Sequence, residues 1–168
     1  MVLFKKFLVS FLCVLVASVL NAGSKTQILL DQLGRAQSME QANPIVEELW
    51  NEWTSAHNNE DEKALMVEGI SAMSKGNLDR AESLFTKLIE VNPYFTEAWN
   101  KRATLRFMAW DFEGSLKDVE KVLALEPRHF GALSGLGMIY LRLGDPESAL
   151  KAYENVAQIF PSIADAVQ

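Results

Sequence analysis

Three prolines stand 34 residues apart, at Pro93, Pro127 and Pro161, and the same interval orders the chain between them. It links Gly69, Ala103 and Gly137, then Gly76, Trp110 and Gly144, then Ala81, Ser115 and Ala149. It also links Phe85 with Val119 and Tyr153, and Leu88 with Val122 and Val156. Columns in one phase define repeats at 62–95, 96–129 and 130–163. A fixed period of this length constrains the fold more than composition does. Each unit cannot bury its apolar side alone and must stack on its neighbours.

The columns read as helix pairs. Small residues at 69, 103 and 137, and at 81, 115 and 149, fit places where two helices cross closely, and Phe85, Val119 and Tyr153 fill the space between successive pairs. Asn77, Asp111 and Asp145 can cap a second helix, each followed two residues later by an acid that suits its positive end. Gly76 and Gly144 can end the first helix in a left-handed conformation. Trp110 holds that place in the middle repeat, so a differently made turn is expected there. Each proline stops a second helix.

A helix, a tight turn, a second helix and a proline within 34 residues resemble the tetratricopeptide repeat family. The third repeat carries the pattern most fully, with Leu133, Leu136-Gly137, Tyr140, Ala149, Tyr153 and Pro161. The first keeps Leu65, Gly69, Ala81, Phe85 and Pro93, with Glu68 and Ala72 replacing Leu and an aromatic. The second keeps Trp99, Ala103, Ser115 and Pro127, with Arg102 and Arg106 where apolar residues are usual. Trp99 to Thr104 and Glu126 to Leu133 are similar to segments of small exported tetratricopeptide proteins of Gram-negative bacteria. The resemblance implies an all-α, right-handed α-solenoid of three helix pairs with a divergent N-terminal helical cap. It also implies a protein–protein adaptor rather than a defined chemistry.

In this family the first helices of successive repeats line a concave groove. Carried over, the groove comprises Met66, Ile70 and Met73, then Asn100, Thr104, Phe107 and Met108, then Ser134, Met138 and Leu141. Lys63, Ser74, Glu97, Gly131 and Arg142 belong to the same set. Its methionines adapt to irregular apolar shapes, which implies an extended or helical apolar peptide segment as partner. The two-carboxylate clamp of some family members would need Lys, Asn and Arg at places held here by Met66, Ile70, Lys101, Gly131 and Gly135, so clamp binding is not expected. Gly131 and Gly135 lie one turn apart on one face. Each is unfavourable by about 1 kcal/mol relative to Ala, so a neighbouring helix or a ligand backbone approaches there.

Lys101, Arg102 and Arg106 offer an anion contact to a partner. Arg102 and Arg106 share a helix face, and a buried guanidinium needs a partner of its own. An internal ion pair with Asp118 or Glu120 is therefore the other reading.

Residues 1–22 read as a signal peptide: Lys5 and Lys6, an apolar run from Phe7 to Leu20, and a small-residue exit with cleavage after Ala22. Cleavage removes the single cysteine, Cys13, and takes the net charge from -6 to -8 by losing Lys5 and Lys6. Residues 25–61 hold two divergent helices. The first is marked by Ile28, Leu29, Leu30 and Leu33, and the second is capped by Asn43 with Pro44 as its first residue and carries Ile45, Val46, Leu49, Trp50 and Trp53. They are expected to cover the apolar end of the first repeat, leaving the C-terminal end bare with Leu150 and Tyr153 partly exposed.

An acidic balance disfavours nucleic acid. One cysteine and two histidines leave little for a metal site, and no nucleophile motif or phosphate-binding loop appears. His129 reads as a capping or surface residue and His57 as part of a solvated loop. No catalytic residue, metal or cofactor is expected. The expected protein is a periplasmic or otherwise exported interaction module that binds an unidentified envelope protein or peptide. The alternative is a homo-oligomer assembled through the uncapped C-terminal end. Membrane contact is expected only if an uncleaved leader anchors the chain in the inner membrane.

Overall fold

A computed structural model describes residues 24–55 and 59–165 of the chain. The proposed leader and His57 lie outside the described residues. The described helices are α1 (Lys25–Leu33), α2 (Met39–Thr54), α3 (Glu60–Ser74), α4 (Leu78–Val91), α5 (Thr96–Met108), α6 (Phe112–Leu125), α7 (Phe130–Leu143), α8 (Pro146–Ile159) and the single turn α9 (Ser162–Asp165). The pairs α3–α4, α5–α6 and α7–α8 stack in chain order, making an all-α solenoid.

The second helix of each pair begins alike. The side chains of Asn77, Asp111 and Asp145 accept from the N–H groups of Arg80, Gly114 and Ser148. Gly76 and Gly144 precede these caps at φ 74° and 79°. The middle turn is made the same way, contrary to the sequence expectation: Trp110 itself adopts φ 66°. A left-handed residue with a Cβ is disfavoured by about 1–2 kcal/mol. The repeat geometry imposes the conformation regardless, and the indole lies against Phe112 and the Arg142 guanidinium.

Close crossings are matched in volume within each repeat. A Cβ at Gly69 would lie 2.5 Å from the Phe85 ring, and one at Gly137 would lie 2.5 Å from the Tyr153 ring. In the middle repeat both positions change together, to Ala103 and Val119. The sum of volumes is held while the individual residues vary, as close packing requires.

The stacking columns also explain where the solenoid begins. Ala98 and Leu105 pack back onto Phe85 and Leu88, and Ala132 and Ile139 pack back onto Val119 and Val122. The equivalent first-repeat residues are Ala64 and Ser71. Ser71 replaces a large apolar group where no repeat precedes, so α3 presents its own polar end.

The N-terminal pair accordingly does not cap the first repeat, which corrects the expected arrangement. Leu29, Leu30, Leu33, Leu49 and Trp53 share one core with Phe130, Leu133, Val156 and Phe160. The pair crosses to the third repeat, where apolar surface needs covering. Gln27 and Asp31 hold Arg128. The start of α2 also differs from expectation. Ser38 caps it, accepting from Gln41 N–H at 3.4 Å while Gln41 Oε1 accepts from Gln37 N–H. Pro44 therefore lies inside the helix. The earlier start brings Ala42 into the core, which offsets one missing backbone donor.

Candidate partner-binding face

The concave face is built by the first helices of the pairs, α3, α5 and α7, and α2 lies over the first turns of α5 and α7. Trp53 stacks on His129 with ring centroids 4.0 Å apart, and Trp50 meets both His129 and Phe130 edge-on. Beneath them is a polar cluster centred on the fully buried Glu97 and His129. His129 caps α7, its Nδ1 accepting from Ala132 N–H at 3.1 Å. An accepting Nδ1 carries no proton, so Nε2–H donates to Glu97 Oε2, 3.1 Å away. Asn100 Nδ2 donates to the same oxygen at 3.0 Å, and Lys101 Nζ lies 2.9 Å from Oε1 and over the Trp50 ring. His129 thus caps its helix as expected but is buried rather than at the surface.

Burial by itself pushes the Glu97 carboxyl up. The hydrogen bond from His129 and the charge of Lys101 outweigh burial, so the group sits below its ordinary range. A carboxyl depressed in the folded state stabilises the fold above its unfolded pKa, and that contribution is lost as pH falls through the folded value. Glu97→Gln should therefore be destabilised at neutral pH, with the gap to wild type in urea unfolding narrowing as pH falls below the ordinary carboxyl range and through the depressed folded-state value. A gap that stays constant with pH would show that charge on Glu97 is not the cause.

The expected groove residues divide into three groups. Met66 is a core side chain, 1% exposed, and Asn100 is committed to Glu97. Met66 packs into the core between α3, α4 and α5, and Asn100 lines only the floor of the cleft between α5 and α7. Met73, Phe107 and Ser134 are half-buried, and Thr104 is exposed. Ile70, Met108, Met138 and Leu141 are exposed, between 38% and 53%. Phe107 and Met138, with Thr104 and Gly135, line a cleft of about 80 Å³ between α5 and α7.

The two glycines on α7 differ in what they face. A Cβ on Gly131 would lie 2.6 Å from Trp50 Cη2, so the neighbouring helix α2 explains it. A Cβ on Gly135 would meet nothing within 4 Å. Gly135→Ala should stabilise the chain by roughly 0.5–1 kcal/mol through helix propensity. Gly131→Ala should not, because Trp50 must move. Thermal unfolding of the two variants checks this directly, and equal shifts would remove the distinction.

Of the basic residues, Arg102 directs Nε and Nη2 to the two oxygens of Asp118 at 2.9 and 2.8 Å, and Nη1 to Thr86 at 3.1 Å. Arg106 Nη1 reaches Asp118 at 3.0 Å and its Nε reaches Glu82 at 3.0 Å. Glu120 is exposed and takes no part. These guanidinium groups are engaged within the chain, as Lys101 is with Glu97, and none faces the groove free of a counter-charge. Among the described residues, no group of three or more His, Cys, Asp or Glu could hold a metal ion, and no helix is long and apolar enough to cross a membrane.

Trp50 and Trp53 are the site residues that groove carry-over missed, since they lie outside the repeats. Residues 130–163 match the family model described as Tetratricopeptide repeat. A TPR repeat-containing protein of Rhizobium etli is 36% identical over 149 residues, covering 84% of this chain and 71% of that one. Small glutamine-rich tetratricopeptide repeat-containing protein 2 of Saccharomyces cerevisiae is 30% identical over 95 residues, covering 56% of this chain and 28% of that one. Among solved structures, the first TPR of Spaghetti (RPAP3) bound to HSP90 peptide SRMEEVD superposes with a TM-score of 0.59 at 26% identity, covering 64% of this chain and 86% of that one. MamA superposes at 0.58 with 21% identity, over 73% of this chain and 68% of that one, a likeness of fold alone.

Proposed function

Because the chain belongs to the tetratricopeptide repeat family, we propose that it is a non-catalytic interaction module of the cell envelope, holding an apolar segment of another protein in the open half of its concave face. Proteins of this family mediate protein–protein interactions. The observation that carries the reading is the exposure of Ile70, Met108, Met138 and Leu141 at concave-column positions, with Met138 lining the cleft at Gly135. Large apolar groups gathered in water on one face mark an association surface. The neighbouring half of the same face already holds Trp50 over Gly131, which shows that α7 accepts a helix bearing a large aromatic. Gly135 offers the next turn the same close approach.

The envelope assignment rests on the basic start and apolar run of residues 1–22. N-terminal sequencing of the exported protein should begin at Gly23, and a retained Met1 would make the leader an anchor. For the groove, crosslinked pull-down from envelope extracts should yield a partner with wild type and lose it with Phe107→Glu/Met138→Glu at unchanged helicity. Ile70→Glu serves as a third variant, because the buried Met66 would report folding instead. Undiminished capture by these variants would end the groove reading.

A further inference from the structure

The stacking columns leave one surface without a counterpart. In the second repeat, Leu116 and Val119 are covered by α7 through Ala132 and Ile139. The same columns in the third repeat hold Leu150 and Tyr153, which are 59% and 36% exposed. Among the described residues the N-terminal pair covers the other part of that end, at Phe130, Leu133 and Val156. The outer stripe of α8 is therefore apolar and open.

A second copy stacked head to tail would offer α3. Ser71 stands there in place of the large apolar group that α5 and α7 supply. The first turn of α3 is Glu60, Asp61 and Glu62, and in the antiparallel packing that α5 and α7 adopt it would meet the last turns of α8, from Glu154 to Ile159, which carry no base to pair with them. That arrangement is mismatched in both shape and charge. We propose instead that the chain forms a two-fold dimer through α8, each helix lying antiparallel to its copy. Leu150, Tyr153 and the half-buried Ala157 recur at helical spacing along the stripe, and Lys151 and Glu154 flank it. An antiparallel copy sets Lys151 opposite Glu154 of the partner subunit and Glu154 opposite the partner's Lys151. The surface is thus complementary to itself. Lys151 now pairs with Glu147 at 3.0 Å, but both side chains are more than two-thirds exposed and such a pair exchanges readily. One helix per subunit buries an area at the low end for specific interfaces, about 1,200 Å² or less, so the association is weak and concentration-dependent. An isologous contact closes on itself and stops at two subunits.

Sedimentation of the purified full chain across the micromolar to millimolar range tests this. A monomer–dimer equilibrium is expected. Leu150→Glu should weaken it by about tenfold or more, because the contact occurs twice in a two-fold pair, and the exposed position leaves the fold intact. Lys151→Glu should weaken it as well, and Lys151→Glu/Glu154→Lys should restore it by re-forming both pairs in reverse. A wild type monomeric throughout overturns the proposal and leaves the face to a different protein. Association that ignores Leu150→Glu overturns it too, since it would run through another surface such as the leader. A double swap that fails to restore association overturns the antiparallel pairing.

Discussion

Asp118→Ala is expected to be among the most damaging single changes in the chain, at about 3–5 kcal/mol, because it leaves buried cationic groups without their counter-charge. Asp118 is 2% exposed and accepts from both Arg102 and Arg106. Against a total stability of about 5–15 kcal/mol for a domain, that is enough to unfold much of the population near physiological temperature. The converse change should be mild. The third repeat carries Leu136 and Ala152 at the places of Arg102 and Asp118, so the same helix crossing accepts an apolar pair. Arg102→Leu/Asp118→Ala should then recover most of the loss. Arg106 keeps Glu82 at 3.0 Å in that variant. A cycle of the two single variants and the double, followed by urea unfolding, measures the coupling. Losses that simply add would show that the ion pair does not couple the two sites.

Trp53→Ala should cost about 3–5 kcal/mol as a large buried aromatic removed from a core, and its effect should be local. Trp53 joins α2 to His129 and Phe130, whereas the repeats stack through other residues. Amide hydrogen exchange should therefore show α1 and α2 opening while α3 to α8 stay protected. Trp53→Phe should be much milder, since it keeps a ring on His129 and removes an indole N–H that has no hydrogen-bond partner among the described residues. Protection in α1 and α2 equal to wild type would mean that Trp53 does not hold the pair in place.

The repeats were legible because their signals are local and recur: the cap, the left-handed turn and the proline each act within a few residues. Trp110 departs from expectation for the complementary reason: its neighbours impose a left-handed turn against the residue's own preference. Proximity in the chain points α1 and α2 to the first repeat, but a residue within that repeat points the other way. Ser71 stands where Leu105 and Ile139 stand in the later repeats, so the first repeat needs no cover. The concave columns located Phe107 and Met138 on an open cleft but could not show that Met66 is enclosed or that a tryptophan of the chain itself lies over Gly131. Those facts depend on contacts between residues far apart in sequence, which carry no periodic trace.

A plain stack of repeats is assembled from near neighbours and can form in the order in which it is synthesised. The crossing of α1 and α2 to the third repeat breaks that order. Trp50 and Trp53 emerge first from the ribosome, but His129, Phe130 and Val156, on which their helices close, are made roughly 75 to 105 residues later. Until then the two indoles have no surface to cover. Loop closure over that distance slows the final step and ties the first-made segment to the last. The N-terminal pair is therefore the last part of the fold to close, and it closes onto the part made last.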